Sequence, residues 1–503
     1  MQTYFSYIPF YAVLVSLVGT ALILISSRKP NLREFWTIAA AVIKFGLVLS
    51  LLSNYLDGKV AQCDLFTIAS GISLSFRADG LGLYFAIVAS GLWILTSFYS
   101  IGYMRGLSEH KQTRYFASFA IALSATMGIA FAANLVTFVL FYEILTIATY
   151  PLVIHKETPE AISAGRKYLA FTLSAGVILI VAIGWIYTIT GSVDFQAGGM
   201  LKGINVSQSH LTVLFILFII GTGVKAAIIP LHSWLPAAMV APTPVSALLH
   251  AVAVVKAGVF GVLRVVGFVF GFDLLHETNL WMILASFSAM TIIVASLIAF
   301  SQDNLKKRLA YSTVAHLSYI VLGASLLNPL AYTGAILHLA AHATMKITLF
   351  FVAGAIYVKT HLENISDLDG IGYKMPITMG AFAIGAIGLA GIPPLNGFIS
   401  KYFLGSGAMD TGHPIMLGVF LISGLLNAGY FFPIIYRAFF KKSEQFTHYN
   451  EASAFMVVPL VITALLSIAF GLSPNLFFHL YEIAGNVGTQ VAGAASHLIG
   501  GGL

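Results

Sequence analysis

The sequence predicts an all-α integral membrane protein with about fourteen transmembrane helices, two of them broken, arranged partly as two inverted five-helix repeats. Of the 503 residues, 58% are hydrophobic and only 9% are charged, whereas soluble domains carry about 25% charged residues. Apolar runs of about 20 residues, the length that crosses a bilayer, recur along the whole chain. Proline-containing segments occur at corresponding places in the two halves, which indicates the repeats.

The apolar runs define fourteen predicted spans. The first span has no basic residue before it and is longer than a signal-peptide core, so we expect it to be retained as a helix. Asn134 marks an almost loopless turn between spans 4 and 5. The spans lie near residues 7–26, 35–56, 80–104, 115–133, 134–154, 162–190, 210–230, 236–270, 279–300, 311–327, 329–358, 375–407, 413–438 and 453–474.

The spans divide into four regions. Residues 1–114 hold helices 1–3, residues 115–270 the first repeat of helices 4–8, residues 279–440 the second repeat of helices 9–13, and residues 441–503 helix 14 with a short tail. Prolines interrupt span 7 and span 12, five spans apart, and paired interruptions of this kind are typical of inverted repeats with sites at the membrane midplane. A broken helix at membrane depth requires protein or water to satisfy its free backbone groups.

The basic residues predict the orientation. Seventeen of the 26 Lys and Arg residues fall in loops after odd-numbered spans and four after even-numbered spans, with the other five inside spans. Because cytoplasmic loops carry the excess of Lys and Arg, this bias favours an even number of spans with both termini outside. The same bias explains the net charge of +7 without a nucleic-acid partner.

The most polar membrane segment runs from Lys225 to Lys256 through spans 7 and 8. A lysine at the centre of a span costs about 2.5–3.5 kcal/mol on insertion scales, so simple anchoring does not explain two of them. Glu143 is the one acidic residue well inside a span, and we expect it to form a movable pair with Lys225. His250 and, nearer a helix end, His232 are candidate relays, because imidazole titrates near neutral pH. The alternatives are a structural ion pair, lysines that snorkel to the interface, and packing histidines.

A second polar group lies in spans 11 and 12. His338, His342 and Lys346 follow an i, i+4, i+8 pattern, which places them on one helix face. Histidines at i and i+4 can bind zinc, but Lys346 would repel a cation and no third ligand is near, so the sequence predicts a proton relay and no metal site. Lys401, the only charged residue of its span, is a candidate terminal proton site on the outer side.

Three further residues fit structural and functional interpretations equally. Lys44 and His316 lie inside spans. Asp79 at the edge of span 3 could belong to the path or could begin the helix, since Asp favours helix N-termini. The single cysteine, Cys63, excludes a disulfide framework and a cysteine-ligated iron–sulfur cluster within the chain, so the sequence predicts no cofactor and no redox chemistry of its own.

The stretch KAAIIPLHSWLPAAMVAPTPVSALLHAVAVVKAGVFGVLR resembles the signature of the proton-conducting, antiporter-like membrane subunits. That family includes large membrane subunits of respiratory complex I, the A and D subunits of Mrp-type cation/proton antiporters, and membrane subunits of group 4 hydrogenases. Further matching stretches are ADGLGLYF with YSIGYM, NLVTFVLFYEIL, DNLKKRLAYSTVAHLSYI, LHLAAHATMKITLFFVAGAI and GIPPLNGFISKYF. The resemblance covers about residues 78–405.

The resemblance implies fourteen helices with helices 7 and 12 broken and the repeats inverted. It also implies a proton relay along the chain, with other membrane subunits, protons and, as an open candidate, Na⁺ as partners, in a prokaryotic plasma (inner) membrane. The family positions of the helix-5 glutamate, the helix-7, helix-8 and helix-12 lysines and the helix-11 stripe fall on Glu143, Lys225, Lys256, Lys401, His338, His342 and Lys346.

The subtype is predicted from departures within the family. Some complex I members carry a glutamate where this chain has Lys401, and the largest members continue into a long lateral helix, so length and layout best resemble the D-type subunit of Mrp antiporters. This chain carries both His250 and Lys256 on span 8, whereas these two features often occur in different branches of the family. A membrane component of a complex I-like oxidoreductase or of a membrane-bound hydrogenase stays open, as does a stand-alone secondary transporter. A structural scaffold fits the retained intramembrane charges less well, and a redox or quinone-reducing enzyme is disfavoured because no cofactor ligand set is visible in the sequence.

Overall fold

The computed structural model describes residues 1–493, and over these residues the chain is a bundle of long helices. Eleven helices of the described part are long and apolar enough to cross a membrane. The expected class, a multi-pass helical membrane protein, is confirmed. The first seven helices are α1 (Ile8–Ile25), α2 (Pro30–Leu56), α3 (Gly80–Gly106), α4 (Gln112–Ala130), α5 (Leu135–Val153), α6 (Pro159–Thr190) and α7 (Gln208–Lys225).

The remaining helices continue the bundle to residue 492. Those of the middle region are α8 (Trp234–Ala237), α9 (Thr243–Ala247), α10 (Val254–Arg264), α11 (Phe272–Glu277), α12 (Leu280–Ser301), α13 (Leu305–Ser325) and α14 (Pro329–Thr360). Those of the last region are α15 (Ile371–Lys374), α16 (Pro376–Ala390), α17 (Asn396–Asp410), α18 (Pro414–Phe440), α19 (Ala454–Leu472) and α20 (Leu480–Ala492). Two short 3₁₀ turns occupy Ala238–Val240 and Ile365–Asp367.

Each of the fourteen predicted spans falls on one of these helices or on a run of them. The three outside the eleven long apolar helices are α4, α13 and the pair α16–α17, which is short because it is interrupted. The number of membrane crossings and the relation between the two five-helix groups therefore stay predictions, as does the division at residues 114, 270 and 440.

Local sequence explains where several helices begin. Asn134 ends the turn before α5, and its side chain accepts a hydrogen bond from the Thr137 backbone N–H, as an N-cap residue does. Thr158 caps α6 in the same way through the Ala161 N–H. Asp79 caps α3 through the Gly82 N–H.

Both predicted interruptions are present. After α7 ends at Lys225 the chain runs without a helix to α8, and the Trp234 indole N–H reaches back to the Val224 carbonyl at 2.8 Å across the gap. Residues 391–395 separate α16 from α17, where Gly391 adopts φ +91°. Two π-helical segments, Leu248–Val252 and Val265–Phe270, also flank α10; the sequence did not predict them.

A three-stranded sheet departs from the all-helical prediction. Strands β1 (Gln2–Phe5), β2 (Lys59–Ala69) and β3 (Ile72–Arg77) lie in that order, with β1 parallel and β2–β3 antiparallel. Gln2 pairs with Lys59, and Gln62 pairs with Arg77. Strand pairing thus provides hydrogen-bond partners for backbone N–H and C=O groups in the polar connection before α3. The expected short tail also contains α20, while its last ten residues, 494–503, lie outside the described residues.

Two spans form the centre of the bundle. Every residue of the run Thr243–Phe270, which contains α9 and α10, is buried, and so is α14 from Ala331 to Ile356, whereas most residues of the peripheral α18 are at least partly exposed. Around α14 pack α3, α13, α16, α17, α19 and α20. Both central spans carry lysine and histidine side chains, so the most polar predicted spans are also the innermost ones.

Candidate functional site

The two central spans meet through a lysine and a histidine. Lys256 on α10 and His342 on α14 are completely buried, and the Lys256 Nζ lies 2.9 Å from the His342 Nδ1. The other ring nitrogen of His342 has no hydrogen-bond partner among the described residues. A proton on the lysine therefore has an imidazole nitrogen directly in reach.

The line of polar groups continues from α14 to α13 and α17. His316 on α13 lies with its Nδ1 3.1 Å from the His338 Nε2, and the other nitrogen of His338 lies 2.9 Å from the Ser400 Oγ on α17. The rings of His316 and His342 are 5.6 Å apart between centroids. Three imidazoles thus connect Lys256 to the second broken helix.

His316 is better connected than the sequence indicated. Its Nε2 lies 3.2 Å from the Asn427 Oδ1 on α18, so both of its nitrogens have polar partners. The Tyr319 ring stacks on both His316 and His338, with centroids 5.0 and 5.3 Å away. The sequence analysis placed His316 inside a span but had no signal for which residues lie opposite it.

Lys401 lies beside the end of this line. Its Nζ donates to the carbonyls of Leu389 and Ala390, at 2.6 and 3.1 Å, which are the last residues of α16. The interruption between α16 and α17 therefore leaves carbonyl oxygens free for an ammonium group. The same Nζ lies 5.1 Å from the Tyr319 ring centroid. Next to Lys401 a cavity of about 1070 Å³ opens between α16, α17 and α18.

Lys346, the third member of the predicted stripe, turns toward a separate partner. Its Nζ donates to the Ser312 Oγ on α13 at 2.7 Å and lies 5.4 Å from the Phe431 ring centroid. It is completely buried. The stripe on α14 is therefore present as predicted, but its two histidines and its lysine contact different residues.

The expected pair of Glu143 and Lys225 is not closed in this structure. Lys225, the last residue of α7, donates to the Tyr142 backbone carbonyl and lies 3.4 Å from the Tyr142 ring centroid. Glu143 faces α6, where Gly176 makes room for its carboxyl group, and its Oε1 has no partner among the described residues. Lys225 therefore contacts Tyr142, the residue just before Glu143 in the chain.

The remaining candidates of the first half are not linked to the line. His250 lies in the π-helical segment before α10, completely buried, 4.8 Å from the Phe350 ring, and neither ring nitrogen has a described partner. His232 lies half-buried in the interruption after α7, 6.1 Å from the Tyr311 ring. Gly258 packs α10 against the backbone of Lys225 and Ala226, so the two lysine-bearing segments are in direct contact.

Asp79 has a different position from the other candidates. Its carboxylate caps α3 and also accepts hydrogen bonds from the Nη1 and Nη2 atoms of Arg264, at 2.5 and 2.8 Å. Arg264 was one of the four basic residues counted in loops after even-numbered spans. That assignment is wrong, because Arg264 is 1% exposed and lies at the buried end of α10. Lys44 is also buried, with its Nζ 2.9 Å from the Leu123 carbonyl and 4.7 Å from the Trp93 ring, away from the histidine line.

One cluster of potential ligands lies outside the predicted site. Glu109 and His110 precede α4, and His155 follows α5, with ligand atoms of all three within 4.8 Å of one another. Sequence reasoning missed this group because about 45 residues separate its two parts and neither part forms a metal-binding motif alone.

These contacts define a class of protein: a multi-pass membrane protein whose innermost helices carry a line of buried lysines and histidines beside interrupted helices. Two family comparisons agree with it. Residues 132–427 match the family described as NADH:quinone oxidoreductase/Mrp antiporter, TM, and residues 66–116 match NADH-ubiquinone oxidoreductase (complex I), chain 5 N-terminus. The chain belongs to this family of proton-conducting, antiporter-like membrane subunits, and the resemblance expected from the sequence is confirmed.

Individual relatives are found in several kinds of complex. The chain is 34% identical over 375 residues to NADH-quinone oxidoreductase subunit N of Desulforudis audaxviator, covering 73% of this chain and 74% of the relative. It is 29% identical over 475 residues to the A subunit of the Na(+)/H(+) antiporter of Alkalihalophilus pseudofirmus, covering 88% of this chain but only 58% of that longer protein. A chain in the structure of the Mrp complex from Dietzia sp. has the same fold, with a TM-score of 0.85 at 20% identity and 97% of each chain covered.

Proposed function

We propose that this chain is the proton-translocating subunit of a multi-subunit Na⁺/H⁺ antiporter of the Mrp type, at the position of its D-type subunit. The observation that carries a proton-translocating role is the line from Lys256 through His342, His316 and His338 to Ser400, next to Lys401. Ionisable groups inside a membrane protein are costly and typically mark ion or proton routes. Lys401 on the second broken helix, where some complex I members carry a glutamate, favours the Mrp branch.

Proton transfer along this line follows from the chemistry of its members. A neutral imidazole donates through one nitrogen and accepts through the other, so a histidine can take a proton on one side and release one on the other. His342 accepts from Lys256 at 2.9 Å, and His316 and His338 exchange at 3.1 Å. Between the His342 and His316 rings, 5.6 Å apart at their centroids, a bridging water completes the path.

The pair of Glu143 and Lys225 acts as the switch in this proposal. In the open arrangement Lys225 is held by the Tyr142 carbonyl and ring. Closing the pair requires the ammonium to leave that carbonyl for the adjacent carboxylate. Since an opposite charge nearby favours the protonated lysine, closing loads a proton and opening releases it. His250 and His232 connect this switch to Lys256 through water, and Asp79 acts only through its contact with Arg264.

The orientation and partners complete the proposal. We place both termini on the outer face of a prokaryotic plasma membrane, with residues 115–270 and 279–440 as the inverted repeats. Other membrane subunits of the same assembly are the partners, and proton flux through this chain drives sodium export by the complex. The chain itself carries protons along its buried line, and it contributes no redox chemistry or cofactor.

A second candidate is the proton-pumping arm of a complex I-like oxidoreductase or membrane-bound hydrogenase. The 34% identity to a subunit N favours it specifically. The relay would be the same in both cases; what differs is the driving force, which would be electron transfer in other subunits instead of exchange with sodium.

The test has two parts. The native complex, isolated in mild detergent, is analysed by mass spectrometry for its co-purifying subunits. Small antiporter subunits without redox proteins support the Mrp assignment, iron–sulfur, flavin or hydrogenase subunits support the second candidate, and a chain isolated alone and active in liposomes supports a stand-alone transporter.

In the second part the complex is reconstituted in liposomes with a pH-sensitive dye, and the variant Lys225→Ala is compared with Lys202→Ala. Lys202 is an exposed residue whose ammonium contacts Asp273 at 3.2 Å. Lys225→Ala should abolish proton transport while the complex stays assembled, and Lys202→Ala should leave transport unchanged. Normal transport by an assembled Lys225→Ala complex would contradict the proposed relay.

A further inference from the structure

A cluster of two histidines and one carboxylate joins two loops at the same end of the bundle. Glu109 and His110 lie in the turn between α3 and α4, and His155 lies two residues beyond the end of α5. The Glu109 Oε2 is 3.7 Å from the His155 Nε2 and 3.8 Å from the His110 Nδ1. The two imidazole rings are 4.9 Å apart between centroids. All three side chains therefore point at one small volume.

His155 is the feature that a packing role does not explain. It is completely buried, yet neither of its ring nitrogens has a hydrogen-bond partner among the described residues. Leaving a buried polar group without a partner costs about 1–3 kcal/mol. Its Nε2 nevertheless faces the Glu109 carboxylate at a distance too long for a hydrogen bond and short enough to share a ligand with it.

We propose that Glu109, His110 and His155 bind a divalent transition-metal cation of the Zn²⁺ class. Two imidazole nitrogens and one carboxylate oxygen are a ligand set that Zn²⁺ and its neighbours prefer, whereas Mg²⁺ and Ca²⁺ prefer oxygen ligands alone. Bond lengths of about 2.0–2.2 Å place tetrahedral ligand atoms about 3.3–3.5 Å apart. The two carboxylate–imidazole separations need to shorten by only a few tenths of an ångström, and water would take the fourth position.

The surrounding charges are compatible with a bound cation. The nearest cationic groups on these two loops are Lys111, Arg114 and Lys156. Glu157 accepts from both Lys111, at 2.7 Å, and Arg114, at 2.5 Å, so it offsets part of their charge. The Arg114 Nη2 also donates to the His155 backbone carbonyl at 3.3 Å, which holds the loop while leaving the imidazole free.

The site has a structural consequence for the proposed relay. α5 carries Glu143 and ends at Val153, two residues before His155. A cation held by all three ligands ties the end of this helix to the α3–α4 turn. The metal site rests on the ligand geometry alone and stands independently of the proton-translocating role.

The test measures metal binding to the full-length chain, purified in detergent with an affinity tag that contains no histidines. After treatment with a chelator, the protein is titrated with Co²⁺, followed by visible absorption, and then with Zn²⁺ in competition with a chromophoric chelator. We expect one saturable site, displaced by Zn²⁺, with a tetrahedral Co²⁺ spectrum. X-ray absorption of the Zn²⁺ form should give nitrogen and oxygen neighbours at about 2.0–2.2 Å and no sulfur.

Two variants and a matched control locate the site. Glu109→Gln and His110→Ala should each weaken binding by about tenfold to a hundredfold or more, and His448→Ala, at an exposed loop histidine, should bind as the unchanged protein does. His110 has a 45% exposed side chain, so His110→Ala is expected to fold normally even if Glu109→Gln does not. The absence of a saturable site, or unchanged affinity in folded His110→Ala, would overturn the proposal.

Discussion

The Lys256 Nζ lies 2.9 Å from the His342 Nδ1, although 86 residues separate them in the chain. Both residues are completely buried, and they lie on the two innermost spans. No salt bridge to Lys256 is present among residues 1–493. An ammonium group in such a place is stabilised by very few polar atoms, so its proton is shared most readily with the adjacent imidazole.

We therefore expect Lys256→Ala to lower proton transport by about 10²-fold or more, because a positioned proton-transfer group typically contributes 10²–10⁴-fold. Proton flux into liposomes by the reconstituted complex is the measurement. Lys44→Ala serves as a comparison, since Lys44 is equally buried but contacts only the Leu123 carbonyl and the Trp93 ring. Equal losses in both variants would show that burial of any lysine, and not the contact with His342, is what matters.

His316 should be as important as His338. The two imidazoles are joined at 3.1 Å, so removing either one interrupts the same step. His316→Ala and His338→Ala should each reduce transport strongly, and the double variant should be no worse than the single ones. A double-mutant cycle on proton flux measures this non-additivity. Fully additive losses would mean that the two histidines act on separate routes.

The position of the Glu143 carboxyl group can be tested on a neighbouring helix. A Cβ at Gly176 of α6 would overlap that carboxyl group, whereas a Cβ at Gly184 of the same helix meets nothing within 4 Å. Gly176→Ala should displace the flexible end of Glu143 and lower transport by about tenfold to a hundredfold, since misplacement of a reacting group by about 1 Å costs on that order.

Gly184→Ala is the matched control for that experiment. Both substitutions replace glycine by alanine within one helix, which by itself favours the helix by about 1 kcal/mol. Transport by Gly184→Ala should equal that of the unchanged complex, and thermal unfolding in detergent should show both variants folded. If Gly176→Ala also transports normally, the observed position of Glu143 is not required.

Asp79 and Arg264 should matter for stability. Asp79→Asn keeps the oxygen that caps α3 but removes the charge that pairs with the buried guanidinium, which is expected to cost about 3 kcal/mol or more. The unfolding midpoint in detergent should fall, while transport per folded complex stays unchanged. Asp273→Asn, which breaks the exposed pair with Lys202, should change stability by less than about 1 kcal/mol. A transport loss in folded Asp79→Asn would place Asp79 in the path.

The loop before α6 should respond to acid in a defined range. Hydrogen bonds from Lys111 and then Arg114 lower the pKa of Glu157 to about 2. Because this pKa lies below the unfolded value of about 4.3, the stabilisation is fully present above that value and is lost as the pH falls toward 2. The difference in unfolding temperature between the unchanged chain and Glu157→Gln should therefore be constant from about pH 7 to 5 and shrink below about pH 4. A difference that grows on acidification would contradict this pairing.

The site was only partly predictable. Lysines, a glutamate and histidines inside apolar spans are visible in a sequence because each is costly there. Their partners are not, because the partners are common residues: Ser312, Ser400 and Asn427 are ordinary polar side chains, and Tyr142 contributes a backbone carbonyl. His316 looked equivalent to a packing residue until the helix that carries His338 was placed opposite it.

The sequence by itself determined the membrane class, the approximate positions of the long apolar helices and both interruptions, because apolar length and proline act locally. It also determined the family, through motifs spread over most of the chain. The tertiary structure decided which helices lie innermost, that Lys256 faces His342, that Lys225 is held by Tyr142 instead of Glu143, and that Glu109, His110 and His155 meet. Those contacts join residues far apart in the chain, and helix packing, which no local pattern encodes, sets which side chains come within a few ångströms.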